Sequence, residues 1–298
     1  MEPSVGERVI YDLGANNGDD IPYYLQKADL VVAVEANPAL ADLMRSRFPK
    51  AIAQGRLRIE NCVLVTGRGG DPVPFYIHKK SHLASQFPTP SSETPITAGY
   101  ASDLSQYDRV ELPSIGVTEL IAKHGTPYYM KLDLESYDAQ ILRELFENDI
   151  VPPLISAESH SIDVLSLMVV LGGYNAFKLV TGSQVGRDFA HHTIVGRDGP
   201  VAYSFPDHSA GPFGEDIPGE WHNANSFFRF LALHGLGWCD VHASRVHEPV
   251  STARQSLFDY LIDERVPRRL RGVARAVVHP FARWFGKPWP ESETGRLS

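Results

Sequence analysis

The chain has 298 residues, 43% of them hydrophobic, two cysteines and a net charge of −8. This is enough for one large α/β domain or two small ones, and no apolar run approaches the roughly 20 residues that span a bilayer. Cys62 and Cys239 have neither a disulfide framework nor zinc-ligand spacing around them, and the negative charge argues against a nucleic-acid backbone as general partner.

No basic-then-apolar leader precedes Val9, so the expectation is a cytoplasmic protein. Charge is uneven along the chain. From Arg245 onward the balance is +4, which leaves −12 on the first 244 residues. An acidic body suits a cationic ligand.

Val9–Leu13 reads as a buried strand leading into the small-residue turn Gly14–Gly18. A helix follows over Asp19–Lys27 with Pro22 in its first turn, then a continuous β-branched strand, Leu30–Glu35. Pro38–Phe48 is an amphipathic helix, with Leu40, Leu43, Met44 and Phe48 on one side. Arg56–Val65 and Pro74–His78 read as strands joined by the Gly67–Asp71 turn. Lys79–Tyr107, rich in Ser, Thr and Pro, reads as an irregular excursion.

Alternation resumes with a helix at Val117–His124, a strand at Tyr128–Leu134, a helix at Tyr137–Asn148 and a strand at Leu154–Glu158. A helix at Ile162–Leu171 and a strand at Ala176–Val180 follow. Thr181–Leu236 reads as a long irregular stretch, lid-like in a compact domain, before a last strand at Gly237–Val241. The order predicts a mostly parallel sheet covered on both faces, a Rossmann-like α/β domain over residues 1–244. Residues 245–298 read as a C-terminal helical extension. Its stretch Arg265–Lys287 alternates Arg with Val, Leu, Phe and Trp, and suits packing on its own domain, on a second subunit, or on an anionic surface.

The strongest chemical signal is Asp12-Leu-Gly14-Ala15-Asn16-Asn17-Gly18, set between a strand and a helix. Glycines there allow close backbone approach, and the helix start offers unpaired N–H groups. Glu35 ends the next strand, where a carboxylate can take both hydroxyls of a ribose. A dinucleotide-binding oxidoreductase shares this layout, but its fingerprint is GxGxxG. Asp12, two residues before Gly14, would repel a pyrophosphate. The same carboxylate can bind the turn's own amides or the amino-acid end of S-adenosylmethionine, so the methyl donor is favoured over NAD.

Three segments resemble the FkbM-type methyltransferases. They are Asp12–Gly18, Val34-Glu35-Ala36-Asn37-Pro38, and Tyr129-Met-Lys131-Leu-Asp133-Leu-Glu135, in the order and spacing of that family's D-x-G-A-N-x-G, F-E-P-N-P and K-I-D-V-E-G patterns. Ala36 stands for the usual Pro, and Ser136 for the usual Gly after the last acid. The resemblance runs from about Val9 to Glu158. It implies a class I methyltransferase fold whose seventh strand runs antiparallel, a slot for Gly237–Val241. It also implies S-adenosylmethionine as donor and a hydroxyl acceptor, often on a sugar or polyketide.

In an open α/β sheet the ligand sits beyond the carboxyl ends of the strands. Asp133 and Glu135 end one such strand, and Glu158 and His160 end the next. Asp133 and His160 are the candidate general bases for an alcohol, with Glu158 orienting the histidine or holding the acceptor. Alternatively, Lys131 pairs with Asp133 or Glu135, and Glu158 caps the following helix through Ser159 or Ser161. A third reading gives Asp133, Glu158 and His160 to Mg²⁺ or Mn²⁺.

Asn61 and Cys62, leaving the third strand, are placed to meet the adenine. His191, His192, His208, Phe213, Glu215, Asp216 and Trp221 carry the aromatic faces and acids that suit a small glycosylated molecule or oligosaccharide. The functional expectation is an S-adenosylmethionine-dependent O-methyltransferase. A NAD-dependent oxidoreductase and a catalytically silent nucleotide-binding module are the alternatives.

Overall fold

The computed structural model describes residues 7–81, 85–87, 104–135 and 137–250, with residues 270 and 273. Contacts divide the chain into compact units at 1–249 and 250–298. The expected C-terminal helical extension, with its basic stretch, lies almost wholly outside the described residues, as do most of the Ser/Thr/Pro-rich excursion and Ser136.

The first half alternates strand and helix. Strand β1 (Val9–Leu13) is followed by α1 (Ile21–Lys27), β2 (Leu30–Val34), α2 (Pro38–Arg47), the short α3 (Pro49–Ala53) and β3 (Leu57–Glu60). Each of these helices opens with a proline in its first turn, where the missing N–H would have been unpaired anyway. Asn37 caps α2 by accepting from the Ala39 amide at 3.1 Å.

The stretch expected as one strand over Arg56–Val65 breaks at Asn61. Beyond it, β4 (Val63–Val65) leaves the main sheet and pairs in parallel with β7 (Ser114–Gly116), while β5 (Val73–His78) and β6 (Tyr107–Leu112) form an antiparallel ribbon.

Next come α4 (Val117–His124), β8 (Pro127–Leu132), α5 (Asp138–Glu147), β9 (Leu154–Ser159), α6 (Ile162–Val170), β10 (Ala176–Thr181) and α7 (Val185–Asp188). The hairpin β11 (His192–Gly196) and β12 (Gly199–Tyr203) leads to α8 (Ala224–His234) and β13 (Gly237–Ser244).

Seven strands form the main sheet in the order β10-β13-β9-β8-β1-β2-β3. β13 lies antiparallel to both its neighbours, and the other pairings in this sheet are parallel. The expected last strand is therefore present and extends to Ser244. One face of the sheet packs Leu13, Val34, Met130, Leu132, Ile155 and Val241 against the buried sides of α4, α5, α6 and α8. The opposite face packs Ile10, Val31, Ala33, Tyr129, Leu154 and Val180 against α1 and the segment after β10.

That segment differs from the irregular stretch expected over residues 181–236. It holds α7, a hairpin, two 3-10 turns and α8, and Phe189, Ile194, Phe205, Phe213 and Ile217 belong to the core. Phe213 is fully buried and stacks on Tyr129, with centroids 3.8 Å apart. Asp216 and Glu215 both hold Lys27, at 2.7 and 2.8 Å, and Asp216 also accepts from the Tyr23 hydroxyl. Trp221 is buried between the His247 ring and the Lys178 ammonium. His192 bonds the Asp216 carbonyl at 2.7 Å. Phe213, Glu215, Asp216 and His192, expected as acceptor contacts, are committed to closing the core over α1, and Trp221 packs beside β10. His191 and His208 are exposed, and the His208 ring stacks on Trp238.

Truncating Phe213 to alanine should cost about 3–5 kcal/mol in denaturant unfolding, the range for a buried aromatic. A loss below about 1 kcal/mol would mean that this segment is not part of the core.

Candidate active site

The strand order reverses between β1 and β8, whose carboxyl ends carry Leu13-Gly14 and Leu132-Asp133. This is the switch point at which open α/β sheets leave a crevice. Gly14 has φ +85°, and a Cβ built on it would lie 1.9 Å from the Asp133 carbonyl oxygen. Gly18 has φ +79°, and its Cβ would meet Ile21, Met44 and Phe48 at 2.9–3.0 Å. Both glycines thus admit neighbouring protein as well as the left-handed backbone. The Gly14 and Ala15 amides bond the Val34 carbonyl, pinning the turn across the end of β2.

A cavity of about 720 Å³, including its open mouth, lies over this turn. Gly14, Asn16, Glu35, Cys62 and Asp133 line it together with Leu40, Leu64, Phe75, Glu135 and Tyr137. The Glu35 carboxylate accepts from the Asn16 amide at 2.8 Å and the Asn37 amide at 2.7 Å. Burial pushes its pKa up to about 7 despite those two bonds. Asn61 is not among the lining residues. Its side-chain amide donates to the Glu35 and Ala36 carbonyls at 2.8 and 3.0 Å, fixing the loop that carries Glu35. Cys62 faces the cavity, and burial raises its thiol to about 12, so it serves as an apolar wall.

Asp12 lies behind the turn, fully buried. It accepts from no turn amide, and neither oxygen has a hydrogen-bond partner among the described residues. The Lys131 ammonium stands 3.6 Å away and 3.2 Å from Asp133. Burial raises the Asp12 carboxyl to about 7 against the pull of Lys131. Register extends this polar line across the sheet, since Asp12 pairs with Lys131, Lys131 with Ser156, Ser156 with His242, and His242 with Lys178.

Two residues nearer the crevice, Glu158 pairs with Asp240 on the same face. Burial, then the neighbouring Asp133 and Asp240 charges, raise Glu158 well above the ordinary carboxylate range. Asp133 is about a third exposed, with a side-chain exposure of 35%. Burial would raise it, but the Lys131 charge, hydrogen bonds from Glu158 and Lys131 and the His160 ring together hold it below the usual range. Glu135 sits at φ +48°, and burial and Asp133 raise it well above the usual range.

His160 lies beside Glu158, its Nε2 3.4 Å from Oε2. The helix-cap alternative for Glu158 does not hold, because Ser161 Oγ caps α6 by accepting from the Asp163 amide. Among the described residues, no group of three or more His, Cys, Asp or Glu is placed to hold a metal ion. Asp133, Glu158 and His160 therefore do not fit as a Mg²⁺ or Mn²⁺ site. Sequence reasoning missed Asp20, Asp138 and Asp240. Asp20 and Asp138 read as ordinary acids at helix starts, and Asp240 as a residue inside a strand.

A mostly parallel seven-stranded sheet with an antiparallel strand in the penultimate position, and a crevice over a glycine turn at its switch point, is the class I methyltransferase fold. The sequence matches the model of the Methyltransferase FkbM domain over residues 12–163, half of the chain, and the chain belongs to that family. The family is one of S-adenosylmethionine-dependent methyltransferases.

The FkbM methyltransferase of Methylobacillus flagellatus KT is 13% identical over 60% of this chain and 41% of its own, with a TM-score of 0.36. Precorrin 8W decarboxylase of Methanobacterium thermoautotrophicum is 9% identical over 80% and 82%, with a TM-score of 0.35. Precorrin-6y C5,15-methyltransferase of Geobacter metallireducens is 12% identical over 68% and 77%, with a TM-score of 0.31. The chain thus spans 41% of the length of the first of these. A search of curated proteins found no match. No helix among the described residues is long and apolar enough to cross a membrane.

Asp12 and Glu35 hold their protons more tightly folded than unfolded, at about 7 against ordinary values of 3.8 and 4.5. The stability this contributes is fully present below about pH 4 and is lost as the pH rises through about 7. Asp12→Asn should therefore raise the melting temperature more at pH 8 than at pH 5, by a difference of roughly 5–10 °C. Equal shifts at both pH values in thermal melts would contradict this.

Proposed function

We propose that this chain transfers a methyl group from S-adenosylmethionine to a hydroxyl oxygen of a sugar or glycosylated small molecule. The observation that carries the reading is the juxtaposition at the switch point. Asp133 lines the cavity over the Gly14 turn, and Glu158 and His160 stand at the end of the adjacent strand.

The residues around the cavity fit the donor. Glu35 keeps lone pairs beyond the two amides it accepts and can take the ribose hydroxyls. Asn16 Oδ1 is buried without a hydrogen-bond partner among the described residues and is an acceptor for the donor's ammonium or hydroxyl. Val34, Leu40, Cys62 and Leu64 give the apolar walls an adenine needs. Asn61 supports the loop under Glu35, and Gly14 and Gly18 hold the turn to Asp133 and α2. Asp12 compensates positive charge from behind the turn. When bound, S-adenosylmethionine supplies a methyl carbon made electrophilic by the sulfonium.

The remaining work falls to the chain's own groups. Asp133, held ionised by Lys131, accepts a hydrogen bond from the incoming hydroxyl and aligns its oxygen; alignment supplies much of the acceleration in such a displacement. His160 and Glu158 take up the proton as the oxygen loses it. No step needs a divalent ion. A NAD-dependent reading has against it Asp12 beneath the turn and membership in a methyltransferase family. A silent binding module would have no use for the ionisable cluster.

The test is transfer of labelled methyl from S-adenosylmethionine to a panel of methyl glycosides. Asp133→Asn and His160→Gln should each lower kcat by roughly 10²–10⁴-fold while the donor's Kd, read by calorimetry, stays within about threefold. Unchanged turnover in both variants, or tight binding of NAD in place of the donor, would overturn the reading.

A further inference from the structure

Asp138 opens α5, buried to 1% exposure. One oxygen, Oδ1, accepts from the Leu134 amide at 3.1 Å and ties the loop after β8 to the helix start. The other, Oδ2, has no hydrogen-bond partner among the described residues. The His160 imidazole faces this oxygen, with its Nδ1 3.9 Å away. His160 is itself buried, and both its ring nitrogens are without a hydrogen bond among the described residues.

The ring therefore lies between two carboxyl groups on different elements. Asp138 of α5 faces Nδ1 at 3.9 Å, and Glu158 of β9 faces Nε2 at 3.4 Å. Three buried polar atoms lacking bonds, one acceptor oxygen and two ring nitrogens, converge on one another. Buried polar atoms are seldom left unpaired, and hydrogen bonds at catalytic groups are often long until the substrate complex forms. A shift of roughly 1 Å would bring Nδ1–H and Oδ2 into bonding distance.

We propose that Asp138 is the positioning residue of the base, accepting the His160 Nδ1–H and so leaving the Nε2 lone pair turned towards Glu158. This rests on the methyl-transfer reading for its use, though the ring geometry stands without it. A neutral imidazole carries one N–H and one lone pair, and the partner of one nitrogen decides which is which.

With Nδ1–H held by Asp138, Nε2 can accept a proton only from the Glu158 side. Glu158 then hands its Oε2 proton to Nε2 and takes the acceptor's hydroxyl proton on Oε1. Glu158 ends as it began, the imidazole becomes imidazolium, and the Asp138 carboxylate faces the new charge. The oxygen–hydrogen bond of the acceptor breaks as its oxygen–methyl bond forms. Asp133, from the loop after β8, interacts electrostatically with this ring, and Glu158 beside it lies in the fields of Asp133, Asp240, Glu135 and Asp138. Within 4.0 Å of Nδ1, among the described residues, the carboxyl oxygen is Oδ2 of Asp138.

Asp138→Asn tests the assignment. The amide oxygen can keep the Leu134 N–H, while its NH₂ presents a donor to Nδ1 and inverts the tautomer. Nitrogen-15 NMR of the ligand-free protein, with the His160 signal assigned by its loss in His160→Gln, should show Nδ1 protonated in the wild type and Nε2 protonated in Asp138→Asn. With the best glycoside of the panel above, kcat should fall about 10²-fold or more with KM and donor Kd unchanged, and the pH profile of kcat should lose its dependence on the histidine.

An Nε2–H tautomer in the wild type, or an unaltered tautomer in the variant, would overturn the proposal. So would unchanged kcat, or a fall in activity matched by loss of donor binding and of thermal stability. If the wild-type protein methylates no hydroxyl while the tautomer inverts as expected, the methyl-transfer reading fails and the positioning of His160 stands.

Discussion

Lys131 is a buried ammonium in the middle of a sheet, and the site is organised around it. Asp12 and Asp133 stand within 3.6 Å of it on either side, and Asp20 and Asp240 add their fields. Burial alone would lower its pKa, but the surrounding carboxyls hold it well above the ordinary lysine value. One cation does not satisfy so many acids. Asp133 gains most from it and stays ionised, while Asp12, Glu158 and Asp240 are left with raised pKa values. The crevice thus carries a reserve of carboxyl groups that a positively charged ligand would bring to ionisation.

Backbone geometry sets where that reserve points. The Gly14 turn can lie against the Asp133 carbonyl because neither a side chain nor a negative φ is required there, and the Asp133 amide returns a bond to the Leu13 carbonyl. The ends of β1 and β8 are therefore locked together beside the cavity that Asp133 and Glu135 help to line. Asp20 extends the same arrangement to the segment after β10, accepting from the Ser209 hydroxyl at 2.5 Å and the Ala210 amide at 3.1 Å. That segment closes the core while also bearing on the electrostatics behind the turn.

The parts legible in the sequence were those written in local patterns. Alternating strands and helices from Val9 to Val180, the turn and Glu35 at a strand end follow from hydrophobic period and turn chemistry, and the antiparallel direction of the last strand was what the family resemblance implied. Asp133, Glu158 and His160 could be placed together because strand ends converge in this fold. The misreadings came where partners are distant. Phe213, Glu215, Asp216 and Trp221 sit in a Gly- and Pro-rich stretch that looks like a lid, yet Tyr129, Lys27, Tyr23, Lys178 and His247 lie far away in sequence. Helix α8 buries only Phe227 and Leu231, too narrow a stripe to stand out. Asp138 looked like any acid favouring a helix N-terminus; only the fold brings His160 against it. Gly14 and Gly18, read as openings for a ligand, also admit protein atoms, and Gly14 lines the cavity.

The central claim is that a cationic donor completes the charge balance of this crevice, and proton linkage measures it directly. Calorimetric titration of S-adenosylmethionine at pH 6.5, repeated in buffers of different ionisation enthalpy, counts the protons exchanged on binding. With Asp12 and Glu35 poised at about 7, the account predicts that binding releases protons. Proton uptake, or binding with no exchange at that pH, would contradict it.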